Sequence, residues 1–290
     1  MSRLTRESLA AHLRALGVAP GDRVLVRAGL AAVGRIEGGA DTFVAALLDA
    51  VGAEGTVISL AFTDSCFIRR PRAEDAFTAL KPSNAGALPN AMLRHPFHRR
   101  SRHPMCSYVA IGRDAALFTD PYDQDSGAYE PVRHLLDERG KCVLVGCVAS
   151  SPGFTTAHLV EADLGLHRRV ILPRLNATYY RDESGTLHLY RRGDMGLCSM
   201  SFYKFYAHYV RAGILRSGLV GGAYSILAPA APAYRIERAV LERDPGFEIC
   251  DSPDCFACNA GRWDRLHRLP RFLARKLLQL ARRRWGSPQS

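Results

Sequence analysis

His158 and Glu161 stand three residues apart in the segment T-T-A-H-L-V-E-A, residues 155–162. On a helix that spacing puts both side chains on one face. A carboxylate beside an imidazole orients the ring and raises its proton affinity. Such a pair can take a proton from an attacking amine. Thr155 or Thr156 would cap the helix that carries it. The same spacing also fits a surface histidine with a glutamate neighbour, so the pair alone does not fix a reaction.

Three other clusters have chemistry in them. In I-E-G-G-A-D, Gly38, Gly39 and Ala40 precede a helix, and open amides at a helix start suit a phosphate or pyrophosphate. An ordinary tight turn has the same composition. Neither G-x-G-x-x-G nor a Walker loop is present, so dinucleotide and triphosphate use are not supported. Arg99–His103, with Ser101 inside it and Ser107 just beyond, is a basic loop fit for an anion. Cys250, Cys255 and Cys258 are spaced as in a metal knuckle, with Cys198 or His267 as the fourth ligand. Free thiols in a loop are the plainer alternative.

These residues need a scaffold, and periodicity supplies one. Leu9, Leu13 and Leu16 form a helical stripe, with Thr5 as cap and Gly17 as stop. R-V-L-V-R (23–27) and residues 57–62 read as buried strands around a helix over Asp41–Val51. That strand–helix–strand order predicts a parallel sheet. Further strands are expected over Ser107–Ile111 and Lys141–Gly146, and helices over residues 88–94, 129–137, 202–212 and 232–243. Leu175–Arg191 reads as a hairpin and 246–263 as a cysteine-bearing loop. The expected architecture is a three-layer α/β/α sandwich with a mostly parallel central sheet. It spans residues 1–261, and residues 262–290 follow as a basic amphipathic tail.

Charge is concentrated in that tail. The chain has 290 residues and a net charge of +11. Arg262–Trp285 holds eight arginines and a lysine against one aspartate, a net +8, which leaves +3 for the rest. The body is therefore only mildly basic, and its charge gives no case for nucleic-acid binding. No signal peptide and no membrane-length apolar run are visible, so a cytoplasmic protein is expected, with reduced cysteines. Leu266, Leu269, Leu273, Leu277 and Leu280 form a stripe among arginines and end near Trp285. That pattern fits an anionic membrane surface, packing on the body, or a homodimer contact.

In order along the chain, six segments resemble the aminoglycoside 3-N-acetyltransferase family. They are L-G-V-A-P-G-D-R-V-L-V, I-E-G-G-A-D-T-F-V-A-A-L-L-D-A-V-G-A-E-G-T-V, K-P-S-N-A-G-A-L-P-N-A-M-L-R, R-S-R-H-P-M-C-S-Y-V-A-I-G, Y-E-P-V-R-H-L-L-D-E-R-G-K-C-V-L-V-G and T-T-A-H-L-V-E-A. They cover residues 4–162, with weaker similarity to Asp244. The resemblance implies transfer of an acetyl group from acetyl-CoA to an amine. It makes His158 the general base and Glu161 its partner. It places the CoA pyrophosphate at Gly38, Gly39 and Ala40, and the pantetheine or phosphate path along Ser101, His103 and Ser107. Direct attack on the thioester is implied, with backbone amides stabilising the oxyanion. Cys106 is at no nucleophile position of the family.

Three departures bear on substrate. The family's His-Ser-Ser after the first strand is Arg27-Ala28-Gly29 here, so hydroxyl contacts to CoA are lost and Arg27 is the group left to bind phosphate. Resistance enzymes of the family tend to be acidic, whereas this body is slightly basic. The cysteine cluster and basic helix are additions, and the cluster fits a structural zinc. The expected acceptor is an aminoglycoside or related amino sugar. The alternatives are a sugar-amine acyltransferase of surface-glycan synthesis and a catalytically silent binding module.

Overall fold

The computed structural model describes residues 3–67, 69–171, 173–194 and 198–285. The tail expected over 262–290 runs past them: residues 286–290, and the side chains of Arg282 and Trp285, lie outside the described residues. The first half holds α1 (Arg6–Leu16), β1 (Arg23–Ala28), α2 (Leu30–Val33), α3 (Gly39–Val51), β2 (Thr56–Leu60), β3 (Cys66–Phe67), α4 (Ala87–Arg94), β4 (Arg99–Arg100), β5 (Tyr108–Gly112) and β6 (Gly140–Val145). The second holds α5 (Thr156–Asp163), β7 (Asn176–Arg181), β8 (Leu187–Arg191), α6 (Tyr206–Arg211), β9 (Arg216–Val220), β10 (Ala223–Pro229), α7 (Ala230–Arg243), α8 (Phe256–Asn259) and α9 (Leu269–Trp285).

The central sheet has the order β4-β5-β2-β1-β6-β10-β9. β1 pairs in parallel with β2 and with β6, while the outer pairings are antiparallel. Five of the seven strands therefore run one way, and β5 and β10 are reversed. β3, β7 and β8 form a separate antiparallel sheet, with the expected hairpin as its core.

Alternation along each strand divides the interior into two layers. Val24, Val26, Val57, Val143 and Val145 face α1, α3 and α4. Leu25, Ile58, Cys142 and Leu144 face the opposite way, against α5, α7 and the aromatic cluster of Phe202, Phe205 and Tyr209. The expected three layers follow directly from this split. Leu47 on α3 is fully buried, and truncating such a side chain to alanine costs about 2–5 kcal/mol.

Thr5 caps α1 in a capping box with Ser8, as its sequence predicts. The caps expected for α5 are different from those found. Thr155 makes no capping bond, and Thr156 is the first helical residue, its hydroxyl donating to Glu237 at 2.8 Å. The helix expected over 129–137 is a 3-10 turn, Glu130–Leu135. The basic loop at Arg99-Arg100 pairs with β5 as β4. The β9–β10 hairpin has no counterpart in the sequence reading, because β9 is a largely exposed edge strand with a glycine in it. No helix of the described residues is long and apolar enough to cross a membrane.

Candidate active site

β1 has a parallel neighbour on each side, and chain segments leave these strands towards opposite faces of the sheet. In α/β sheets, ligands bind outside the carboxyl ends of strands at such a switch point. A cleft of about 330 Å³ opens there, lined among others by Arg27, Ser59, Tyr129, Cys147, His158 and Ser199. The backbones at the ends of β1 and β6 nearly touch. Gly146 sits at φ +65°, and a Cβ on it would come within 2.8 Å of both Ala32 and the Gly29 carbonyl.

α5 brings the sequence pair together as its spacing predicts. His158 Nδ1 lies 2.7 Å from Glu161 Oε2. The carboxylate accepts, so the ring proton belongs on Nδ1, and Nε2 keeps its lone pair. Nε2 has no hydrogen-bond partner among the described residues. Tyr129 stacks on the ring at 4.5 Å with an 18° interplanar angle, and Phe202 covers it at 4.8 Å. Gly153, at φ +77°, permits this packing, because a Cβ there would collide with Phe202.

Burial pushes the His158 imidazole down to about 3, and the cations Arg27 and Arg192 add to the effect. The ring is neutral at physiological pH. The Glu161 carboxylate on Nδ1 is placed to stabilise an imidazolium when one forms.

Glu161 is fully buried and belongs to a longer chain of contacts. Glu248 hydrogen-bonds it from behind, and burial first, then the Glu161 charge, pushes Glu248 up to about 10. Two facing carboxyl groups need one proton between them. Glu248 is the one pushed up, which places that proton on it. Arg262, itself 1% exposed, donates to Glu248 at 3.3 Å and grips Asp264 through two bonds of 3.0 and 3.1 Å.

Arg27 lines the cleft, and its guanidinium donates to the carbonyls of Gly153 (2.9 Å) and Ser151 (2.6 Å). It holds the 151–153 loop and puts a positive charge in the cleft. Gly38, Gly39 and Ala40 open α3 as expected, Gly38 and Gly39 both with positive φ, but none of them lines the cleft.

The basic-loop residues have internal partners. The Ser107 hydroxyl is buried, donates to the Ala61 carbonyl at 2.7 Å and accepts from Arg100. Ser101 accepts from the Tyr108 amide at 2.9 Å. His103 Nδ1 accepts from the amides of Met105 and Cys106, and burial holds the ring down to about 4. None of Ser101, His103 and Ser107 lines the cleft with His158, while Ser101 lines the larger cleft between Arg100–Arg102 and the β7–β8 turn.

Neither nearby thiol is set up as a nucleophile. Burial pushes Cys106 up to about 11. Cys147 is in the cleft, but burial raises it too, and its thiol donates to the Arg27 carbonyl at 3.4 Å. A larger cleft of about 740 Å³ lies between Arg100–Arg102 and the β7–β8 turn. Its charged side chains are arginines and carboxylates, with no base–carboxylate pair like that of α5.

Cys250, Cys255 and Cys258 do come together, and Cys198 rather than His267 joins them. Tyr129, Phe202, Glu248 and Arg262 were not picked out from sequence. Tyr129 lies in a matched segment, Y-E-P-V-R, but a stacking partner has no spacing rule. Glu248 and Arg262 lie 87 and more residues from Glu161, and only the fold joins them.

The family model for aminoglycoside 3-N-acetyltransferase matches residues 25–242. Aminoglycoside N(3)-acetyltransferase III of Serratia marcescens is 37% identical over 174 residues, which are 54% of this chain and 64% of that protein. The chain thus covers less than two thirds of that relative. Aminoglycoside N(3)-acetyltransferase IX of Micromonospora chalcea is 30% identical over 257 residues, 80% of this chain and 91% of that one. The structure of AAC-IIIb in binary complex with CoASH superposes with a TM-score of 0.69 at 29% identity, covering 83% of this chain and 97% of that one. With the sandwich and ordered motifs on one chain, and matches over most of its length, the protein belongs to the aminoglycoside 3-N-acetyltransferase family.

Proposed function

We propose that the chain is an acetyl-CoA-dependent N-acetyltransferase, acting on a primary amine of an aminoglycoside or related amino sugar. The observation that carries this is the 2.7 Å His158–Glu161 pair in a cleft at the switch point of a sheet of this family. The relative AAC-IIIb was solved with CoASH, which supports acetyl-CoA as donor.

In this reading the neutral amine adds to the thioester carbonyl carbon. The carbon–nitrogen bond forms and the carbonyl electron pair moves to oxygen. His158 Nε2 takes a proton from the nitrogen, and Glu161 holds the imidazolium. On collapse the carbon–sulfur bond breaks, and the CoA thiolate takes the proton from His158. The products are the acetamide and CoA thiol. Gly38, Gly39 and Ala40 hold the CoA pyrophosphate at the start of α3, and Arg27 attracts the anionic cofactor to the cleft.

One observation favours a narrower acceptor class. Among the described residues, those lining the His158 cleft include Arg27 and no Asp or Glu. A polycation would be repelled there, so an amino sugar of lower positive charge, including a phosphate-linked one of surface-glycan synthesis, is the second reading.

Release of CoA thiol from acetyl-CoA, with a panel of aminoglycosides and amino sugars, tests both. Turnover by the wild type and its loss in His158→Ala are expected. No turnover with any amine, or full turnover by the variant, would sink the mechanism. For the tail, we propose that the leucine face of α9 meets an anionic membrane surface.

A further inference from the structure

Four cysteine sulfurs converge where the C-terminal loop meets the start of the Ser199–Phe205 helix. Cys198, Cys250, Cys255 and Cys258 place their Sγ atoms within 4.8 Å of one another, and all four are free thiols. The set is drawn from two distant parts of the chain. Cys198 opens the 3-10 helix Ser199–Phe205, and the other three lie on the loop before and within α8.

We propose that these four thiolates bind one structural zinc ion, and that this site clamps the C-terminal loop onto the wall of the catalytic histidine. A tetrahedral Zn–S bond of about 2.3 Å puts the sulfurs about 3.8 Å apart, and the four sulfurs here all lie within 4.8 Å of one another. Four thiolates fill the coordination sphere, so no position is left for substrate and the role is structural. Each thiol gives up its proton to solvent as its sulfur takes the metal. The Cys250 amide donates to Cys258 Sγ at 3.4 Å, the type of N–H···S contact that steadies a thiolate. Asn259 braces the knuckle by donating to the carbonyls of Ser252 (2.8 Å) and Cys255 (2.9 Å).

What the clamp holds is specific. Lys204, on the Cys198 side, donates to the Ile249 carbonyl at 2.8 Å, and the Ser201 hydroxyl donates to the Glu248 carbonyl. Phe202 of the same 3-10 helix lies on His158. Beyond the clamp, Arg262 reaches Glu248, and Glu248 reaches Glu161. Both the Phe202 side and the Glu248–Arg262 side of the His158–Glu161 pair are thus joined beside the cysteine site. The metal assignment stands independently of the proposed reaction.

The test uses the full chain, purified under reducing conditions and dialysed against metal-free buffer. Elemental analysis is expected to find about one zinc per chain. A mercurial thiol reagent should release that zinc as the four thiols react. Cys255→Ser/Cys258→Ser should lose nearly all the metal, and Cys66→Ser should keep it. Should the double variant fail to fold, cobalt(II) added to the zinc-depleted wild type decides. It is expected to give intense thiolate-to-cobalt charge-transfer bands and tetrahedral ligand-field bands. Negligible zinc in the wild type, iron in its place, two disulfides among these cysteines, an octahedral cobalt spectrum, or full zinc in a folded double variant would each overturn the proposal.

Discussion

His158 Nδ1 and Glu161 Oε2 are 2.7 Å apart on one turn of α5, with Glu161 fully buried and His158 at the cleft. This contact fixes which ring nitrogen can act. With the proton on Nδ1, Nε2 is the acceptor. A glutamine at 161 keeps the shape but removes the charge, and its amide can donate to Nδ1 and reverse the tautomer. Glu161→Gln is therefore expected to lower kcat by roughly 10²–10⁴ with little change in KM. Steady-state kinetics with the acceptor found in the thiol-release assay measures it. A variant within about three-fold of wild type would remove Glu161 from the mechanism.

The parts legible in sequence were those governed by period and spacing. Alternating valines and leucines marked β1, β2 and β6, and i, i+3 spacing joined His158 to Glu161. The illegible parts depend on tertiary contact. Thr156 looked like a cap, yet its hydroxyl serves Glu237, 81 residues on. Ser107 lies in a matched segment, but its bonds to Ala61 and Arg100 involve residues that only the fold brings near it. His267 and Cys198 were equal candidates to complete the cysteine set, and only the packing of the Ser199–Phe205 helix against the 246–263 loop chose Cys198.

The pH dependence of the reaction should reflect the buried imidazole. His158 works as a base only when neutral. Burial, Arg27 and Arg192 hold it down to about 3, below the usual histidine range near 6.5. No histidine limb is then expected in kcat/KM between about pH 5 and 8. The rate should rise with pH as the acceptor amine loses its proton. Arg27→Gln removes a nearby cation, so the acid limb should move upward, and Arg27→Lys should hold it lower. A wild-type limb near 6.5, unmoved in Arg27→Gln, would contradict this electrostatic picture.

A second buried acid makes stability fall as pH rises from the carboxylate range towards about 8. Burial pushes the Glu237 carboxyl up to about 8, with Thr156 and Tyr209 hydroxyls on it opposing the shift. The ordinary unfolded value is near 4.3, so between that value and about 8 the folded state holds a proton that the unfolded state has lost. Stability from this group is complete below the unfolded value and is lost as pH rises through the folded one. Glu237→Gln should flatten that decline. Urea denaturation at several pH values between about 4.3 and 8 measures it, and an equal slope over that range in wild type and variant would rule Glu237 out as the cause.

The tail makes a prediction of its own. α9 is tied to the body through Phe272, whose ring meets Phe256 edge-on at 5.8 Å, and through Lys276 and Gln279, both on Asp254. Those three residues share one stripe, so packing on the body uses them and not the leucines. Leu273, Leu277 and Leu280 are 50%, 67% and 62% exposed on the adjoining stripe. Arginines flank them, and each cation near an anionic surface contributes about 1 kcal/mol. The full chain should therefore sediment with vesicles containing an anionic lipid and stay in solution with neutral ones. High salt should weaken the binding. Leu277→Glu/Leu280→Glu should abolish it while leaving thiol release intact, because neither residue approaches the cleft. Equal recovery with both vesicle types, or undiminished sedimentation of the double variant, would leave the leucine face to a protein contact, which concentration-dependent light scattering would detect as a dimer.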